Sequence, residues 1–277
     1  MIVSVWLRYE PIMLEVILEP TGNKPCNVAM RVFDKTQAAT VFVVMKKTIA
    51  QRESLFVRMP LSPNTVQVQA VNVDYGSNPV LRDTGFRIVY IKKHELQLTL
   101  AQTKMDTPMV RSFVRFAQRF AYNCGWYDVN RTYKSNMGGF SIEYLPFITK
   151  PNTNVRMSTP ARVSTKTGLI QVSKEQFVLF TIPMRMAILL HEFSHYYLNT
   201  DVSNEVEADL NALTIYLGLG YPVKEAYSAF RETFIGYPSE QNKQRFKIIN
   251  KFIRDYVDEY KLKHVFANGD EDNMQDV

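Results

Sequence analysis

Cysteine, histidine and long apolar runs are all scarce in this sequence of 277 residues. The two cysteines, Cys26 and Cys124, lie far apart and form no Cys-x-x-Cys pair, which excludes a zinc site built from thiolates. A disulfide between them is one alternative, but two free thiols in a reducing compartment is the favoured interpretation. The apolar stretch from Met184 to Leu190 contains Arg185 and is too short to span a bilayer.

The sequence also lacks a targeting segment and a strong excess of charge. Met1 to Pro11 contains no basic leader, no long apolar core and no small-residue cleavage site, so we expect no signal peptide, a cytoplasmic protein and no membrane partner. The net charge of +6 is only mildly basic. Arg111, Arg115 and Arg119 share one face of a predicted helix, and a solvated face is favoured there, so nucleic acid is disfavoured as a partner.

The first hundred residues are typical of an all-β domain. Short runs rich in valine, isoleucine and phenylalanine predict about seven strands, and Val66-Gln67-Val68-Gln69 alternates apolar and polar residues as a half-buried strand does. The seven runs are Ile2 to Arg8, Met13 to Leu18, Val28 to Phe33, Thr40 to Met45, Leu55 to Arg58, Val66 to Val73 and Phe86 to Ile91. We therefore predict a β-sandwich of immunoglobulin-like size over residues 1–102, with a binding or positioning role.

The hydrophobic period changes at Asp106, which we expect to cap a helix with Pro108 in its first turn. Two strands, Phe140 to Leu145 and Leu169 to Val172, are predicted next. Further helices are predicted from Ile182, Ser203, Pro222 and Ser239. The fold class is thus α+β, with a second domain over residues 103–265 and an acidic tail over residues 266–277.

The most informative motif is His191-Glu192-Phe193-Ser194-His195 on a predicted helix. Residues four apart project from the same helix face, so two imidazoles can bind one metal ion while Glu192 takes a proton from the attacking water. The alternative is a helix that carries two histidines by chance. The metal site is favoured because two of only four histidines fall here, after an apolar run that buries the helix. Neutral imidazoles suit Zn²⁺ as the cofactor.

A pair of carboxylates at the start of the next predicted helix strengthens this interpretation. Glu205 and Asp209 are again four residues apart, so they share a helix face. Glu205 can complete the metal site as third ligand, and Asp209 can accept the N–H of a zinc-binding histidine. Ala208 is small enough to let the two helices approach closely.

His191-Glu192-x-x-His195 followed by Asn204-Glu205-x-x-Ala208-Asp209 resembles the gluzincin branch of the zincin metallopeptidases. The sequence is similar to compact, uncharacterised metallopeptidases of bacteria and their phages. The resemblance covers roughly residues 106–230, and it implies a zincin-like domain with an active-site helix and a glutamate helix. It also implies that the strand before the active-site helix, Leu169 to Val172, lies at the sheet edge and pairs with the substrate backbone.

A second assignment of the third ligand stays open at this point. His191, His195 and Asp201 are spaced as in the metzincin branch, in which Asp201 would bind the metal. That branch needs glycine where this chain has Leu198, because the helix must break there, so Glu205 is favoured. Gluzincins also use a later His or Tyr to stabilise the oxyanion. The candidates here are Tyr216, Tyr237, Tyr256 and His264, and no spacing singles one out.

Two functions follow from these motifs. The first is a zinc-dependent metalloendopeptidase that acts on a protein or peptide substrate, with Glu192 as the general base. The alternative is a structural component of a large assembly, such as a phage virion or tail, that carries a zincin-like domain. In that case the partners are neighbouring subunits and the protein is virion-associated.

Overall fold

A computed structural model describes residues 1–74, 85–136, 139–235 and 239–262 of the chain. Strands dominate the first hundred of these residues and helices the rest, so the predicted α+β class is confirmed. The described residues divide into two compact units, Met1–Gln97 and the residues from Leu98 onward. No helix among them is long and apolar enough to cross a membrane. The predicted acidic tail lies outside the described residues.

The first unit contains all seven of the predicted strands, arranged in two antiparallel sheets. The strands are β1 (Ile2–Trp6), β2 (Ile12–Pro20), β3 (Cys26–Asp34), β4 (Val41–Ile49), β5 (Glu53–Met59), β6 (Thr65–Asn72) and β7 (Phe86–Glu95). One sheet has the order β1-β6-β3-β4 and the other the order β5-β2-β7. The alternation in β6 determines which face of the strand packs on the core: Val66, Val68 and Ala70 are buried, while Gln67 and Gln69 are half-buried.

The second unit begins with a 3₁₀ turn, Leu100–Gln102, that packs on the end of a later helix. The backbone N–H of Thr99 donates to the carbonyl of Gly218 at 2.8 Å, and the Thr99 hydroxyl lies 2.9 Å from that of Tyr256. Gly218 must stay small because an added Cβ would lie 2.8 Å from the Cα of Leu100. These contacts explain why the unit starts at Leu98.

The sheet of the second unit has the order β10-β11-β9-β8. Its strands are β8 (Arg131–Lys134), β9 (Ser141–Leu145), β10 (Ala161–Val163) and β11 (Ile170–Ser173). The expectation that Leu169 to Val172 forms the edge strand is wrong, because β11 lies between β10 and β9. The edge on this side of the sheet is β10, which is joined to β11 by a tight turn at Gly168, where φ is +70°. A strand of three residues is too short for an alternation pattern to reveal it.

Six helices are present in the described part of the second unit. They are α1 (Pro108–Asn123), α2 (Lys174–Phe177), α3 (Ile182–Tyr197), α4 (Glu205–Gly218), α5 (Val223–Ile235) and α6 (Glu240–Glu259). The cap of α1 is Thr107 rather than Asp106, which instead pairs with Arg111. The helix predicted from Ser203 begins at Glu205 and is capped by Asn204, while the helix predicted from Ser239 is α6, which Ser239 caps. The arginines on α1 are exposed, as expected of a solvated face.

The core of the second unit forms around α3, whose residues from Ile182 to Leu190 are all buried. Phe193 of α3 stacks on Phe113 of α1, with ring centroids 4.0 Å apart. Ala208 of α4 is fully buried, consistent with the close approach of the two helices predicted from its size. Both cysteines of the chain are buried and free, so no disulfide is formed.

Candidate metal centre

The two histidines of the motif occupy the last turns of α3, where the helix leaves the core. Thr181 caps the helix by accepting from the backbone N–H of Met184, and Pro183 fits its first turn. His191 and His195 lie one turn apart, so their rings meet on one face, with the two Nε2 atoms 3.1 Å apart. Their side chains are 14% and 8% exposed, so the pair is shielded from most of the solvent.

Glu205 is the first residue of α4 and is held there by the Asn204 cap, whose side chain accepts from the N–H of Glu207. The Oε2 atom of Glu205 lies 3.5 Å from Nε2 of His191. Its Oε1 atom lies 3.6 Å from Nε2 of His195. The three residues thus offer one ligand atom each, all within 4.8 Å of one another.

Each imidazole has a partner at its other ring nitrogen. Nδ1 of His195 lies 2.8 Å from the carbonyl oxygen of Val202, which can only accept a hydrogen bond. Nδ1 of His191 lies 2.9 Å from Oδ1 of Asp209, at ion-pair distance but off the line of a straight hydrogen bond. Both partners favour a proton on Nδ1, which leaves the Nε2 lone pairs of the two rings facing each other. Two facing lone pairs repel unless a proton or a metal ion lies between them.

The spacing of these atoms fits a small tetrahedral ion. Zinc bonds to nitrogen and oxygen are roughly 2.0–2.1 Å, so tetrahedral angles put neighbouring ligand atoms about 3.3–3.4 Å apart. The Nε2 atoms of His191 and His195 are 3.1 Å apart, Oε1 of Glu205 lies 3.6 Å from Nε2 of His195, and one ligand atom from each of the three residues lies within 4.8 Å of the others. Two imidazoles and one carboxylate are also the ligand types that catalytic zinc sites use, with a fourth position left for water or substrate. The donor set and its spacing therefore fit zinc.

The electrostatics of the site favour a cation at the histidines. Burial alone would lower the pKa of His191, but the carboxylates of Asp209 and Glu205 outweigh it and raise the pKa to about 10. Burial would raise the pKa of Glu205, yet its contacts with the two histidines, together with the charge of Arg245, hold that pKa well below its usual range. The carboxylates of Asp209 and Glu205 thus place negative charge beside the two imidazoles, which favours a cation there.

Glu192 sits between the histidine pair and the edge strand. Its Oε2 atom accepts a hydrogen bond of 2.7 Å from the backbone N–H of Val163 in β10. Burial raises the pKa of this carboxyl group, although the charges of His191 and His195 oppose the shift. The residue is therefore fixed beside the histidines with its proton affinity increased, as a general base requires.

Arg245 of α6 is a member of the site that sequence reasoning missed. Its Nη2 atom lies 2.9 Å from Oε2 of Glu205, and its Nε atom donates to Oδ2 of Asp209 at 2.9 Å. The side chain is only 8% exposed. A signal for it exists in the sequence, since Arg245 falls on the buried stripe of α6 that Ile249 and Ile253 continue. An arginine within an apolar stripe needs an acidic partner.

A cavity of about 340 Å³ opens beside His191. His191, Glu192, Glu205 and Arg245 form its polar side. The remaining lining comes from β10 and the loop before it, α3, α5 and α6, and comprises Thr159, Pro160, Ala161, Ala187, Ile188, Ala229, Phe230, Gln241 and Asn242. The acidic and basic groups thus converge on a space that is otherwise largely apolar, as ligand sites commonly do.

The other residues considered from sequence lie elsewhere. The carboxylate of Asp201 is exposed and accepts from the backbone N–H and the hydroxyl of Ser203. The hydroxyl of Tyr216 donates to the carbonyl of Pro222, and that of Tyr256 pairs with Thr99, so neither tyrosine lines the cavity. Tyr237 and His264 lie outside the described residues.

Comparisons of this chain with protein families, with curated proteins and with solved structures give no match.

Proposed function

We propose that this protein is a zinc-dependent peptidase in which His191, His195 and Glu205 bind the metal and Glu192 is the general base. One observation carries the proposal: the Nε2 atoms of both histidines face each other at 3.1 Å with the Glu205 carboxylate beside them. Zinc in such a site supplies Lewis acidity, which makes a water molecule acidic near neutral pH and polarises a carbonyl group.

The protein's own residues transfer the proton and orient the two histidines. Glu192 takes the proton of the attacking water and passes it to the amine that leaves, a role that its raised pKa suits. Asp209 and the carbonyl of Val202 hold the two rings with their Nε2 atoms toward the metal.

The edge strand beside the site supports a peptide as the substrate. Ser173 N donates to the carbonyl of Pro160 and Ser164 N donates to that of Leu169, so the backbone groups of Ala161 and Val163 face away from β11. Ala161 lines the cavity together with Glu192. An extended peptide can add to such an edge as a further strand if it replaces the bond of the Val163 N–H to Glu192 and that of the Ala161 carbonyl to the Thr159 hydroxyl, and its backbone would then pass Glu192.

The metal centre is tested by zinc content and activity together. We expect about one zinc per chain in the freshly purified protein, and the Glu205→Gln variant should lose it or bind it much more weakly. Glu207→Gln is a matched control, because Glu207 lies on the same helix but its carboxylate accepts from Thr200 instead. If the wild-type protein takes up no zinc even after reconstitution, the proposed function is wrong.

Hydrolysis is then measured with a mixed library of quenched fluorescent peptides. Glu192→Gln should retain zinc and lower the rate by roughly 10²–10⁴-fold, the usual contribution of a general base. A wild-type rate in that variant would contradict the role of Glu192. Zinc uptake without hydrolysis of any peptide would keep the metal centre and remove the peptidase assignment.

A further inference from the structure

We infer that Arg245 is a positioning residue of the metal centre, which holds one oxygen of Glu205 and leaves the other oxygen for the metal; the inference rests on the proposed function. The Nη2 atom of Arg245 lies 2.9 Å from Oε2 of Glu205. The other oxygen, Oε1, lies 3.6 Å from Nε2 of His195, and Oε2 itself lies 3.5 Å from Nε2 of His191, so both oxygens are near the metal position and only Oε2 is bound by the arginine. A carboxylate bound in this way by a guanidinium is restricted to one metal bond, and the ion keeps a position for water or substrate.

The guanidinium is itself held in place by a second carboxylate. Its Nε and Nη2 atoms donate to the two oxygens of Asp209 at 2.9 and 3.0 Å. Asp209 is 1% exposed and also lies 2.9 Å from Nδ1 of His191. One arginine therefore connects the carboxylate ligand with the group that orients a histidine ligand. A lysine cannot reproduce this arrangement, because its single ammonium group lacks the planar fork that meets two carboxylates at once.

The charges of the site give a second reason for an arginine here. Glu192, Glu205 and Asp209 bring three negative charges to the centre, and a divalent ion leaves one of them uncompensated. The positive charge of Arg245 balances it. Without that charge, and with Oε2 free, Glu205 would be drawn to the ion through both oxygens. Arg245 therefore decides how many positions of the ion the protein fills.

The simpler interpretation is that Arg245 only ties α6 to α4. Both interpretations predict that replacing Arg245 lowers stability, because Asp209 is buried and would lose its partner. They differ in what they predict for the coordination of the metal. A purely structural ion pair would leave the coordination of the metal unchanged in a variant that still folds.

The test is the visible absorption spectrum of the full-length protein loaded with Co²⁺, which reports coordination number. We expect the intense bands of a four-coordinate ion in the wild type and in the control Arg254→Met, an exposed arginine on the same helix. Arg245→Met should show the weaker bands of a higher-coordinate ion, with absorptivity reduced by about two-fold or more. A wild-type spectrum in folded Arg245→Met would overturn the inference.

Arg245→Lys is the second variant, and it tests the role of Arg245 in metal coordination if Arg245→Met does not fold. It keeps the charge and most of the bulk but cannot hold both carboxylates, so its spectrum should lie between the other two. A spectrum identical to the wild type in Arg245→Lys would overturn the inference. Failure of the wild type to take up Co²⁺ or Zn²⁺ would instead refute the proposed metal centre, so the two failures are distinguishable.

Discussion

Nδ1 of His191 lies 2.9 Å from Oδ1 of Asp209, a carboxylate one helical turn beyond the proposed ligand Glu205. The same carboxylate accepts two hydrogen bonds from Arg245. Asp209 thus links the histidine helix α3, the glutamate helix α4 and the arginine of α6. Its side chain is 1% exposed, so no water can replace these contacts at low cost.

Asp209→Asn should weaken zinc binding by about 10–100-fold, because removal of a group that orients a metal-binding histidine typically has an effect of this size. Competition with a chromophoric chelator measures the affinity. Asp201→Asn is the matched control, since Asp201 is exposed and its carboxylate binds Ser203. Loss of zinc in Asp201→Asn but not in Asp209→Asn would favour Asp201 as the third ligand instead.

Gly168→Ala should destabilise the second unit by about 1–3 kcal/mol, because an alanine at positive φ is strained and has no space. The φ angle is +70°, and an added Cβ would lie 2.7 Å from the ring of Tyr196 and from the hydroxyl of Tyr197. Gly125→Ala is the control, since nothing lies within 4 Å of its Cβ position. Urea midpoints of the two variants compare them, and equal midpoints would contradict the expectation.

Arg185→Met should cost roughly 3 kcal/mol or more of unfolding free energy, because buried carbonyl groups lose their donors. The Arg185 guanidinium is buried and donates to the carbonyls of Phe177, Ala121 and Val178 at 2.8–3.0 Å. Arg115→Met, at an exposed position of α1, should change stability by less than about 0.5 kcal/mol. Thermal unfolding of both variants provides the measurement. A small effect at Arg185 would mean that water reaches these carbonyls.

Glu15→Gln should destabilise the first unit by about 1 kcal/mol at neutral pH, because the carboxylate accepts from Ser54 at 2.6 Å and lies 2.8 Å from His94. The hydrogen bond from Ser54 is the largest cause that holds the pKa of Glu15 below its usual value. A lowered folded-state pKa stabilises the fold above the usual pKa of glutamate. That contribution disappears as the pH falls through the folded-state value.

The stability difference between wild type and Glu15→Gln should therefore stay nearly constant from about pH 7 down to the usual pKa of glutamate, 4.5, and shrink as the pH falls below that value. Urea unfolding of both proteins across this range measures it. A difference that stays constant with pH would show that the ionised form of Glu15 contributes nothing to the fold.

Local periodicity was enough to predict most of the elements. The seven strands of the first unit follow from alternation and β-branched residues, and the histidine helix follows from a spacing of four. Both signals depend only on backbone geometry within a few residues. The position of Glu205 near the histidines could be predicted from local sequence as well, because a short loop between α3 and α4 makes the two helices neighbours. The gluzincin resemblance and the zinc-dependent activity stay predictions.

The sequence by itself determined the α+β class, the seven strands and the pairing of His191 with His195 on one helix face, since each depends on local geometry. Only the tertiary structure decided that β10 rather than β11 forms the sheet edge, and that Arg245 reaches Asp209 from 36 residues away. Sheet order and contacts between distant helices depend on how whole elements pack. That packing is set by the sum of many weak contacts, which no short sequence pattern records.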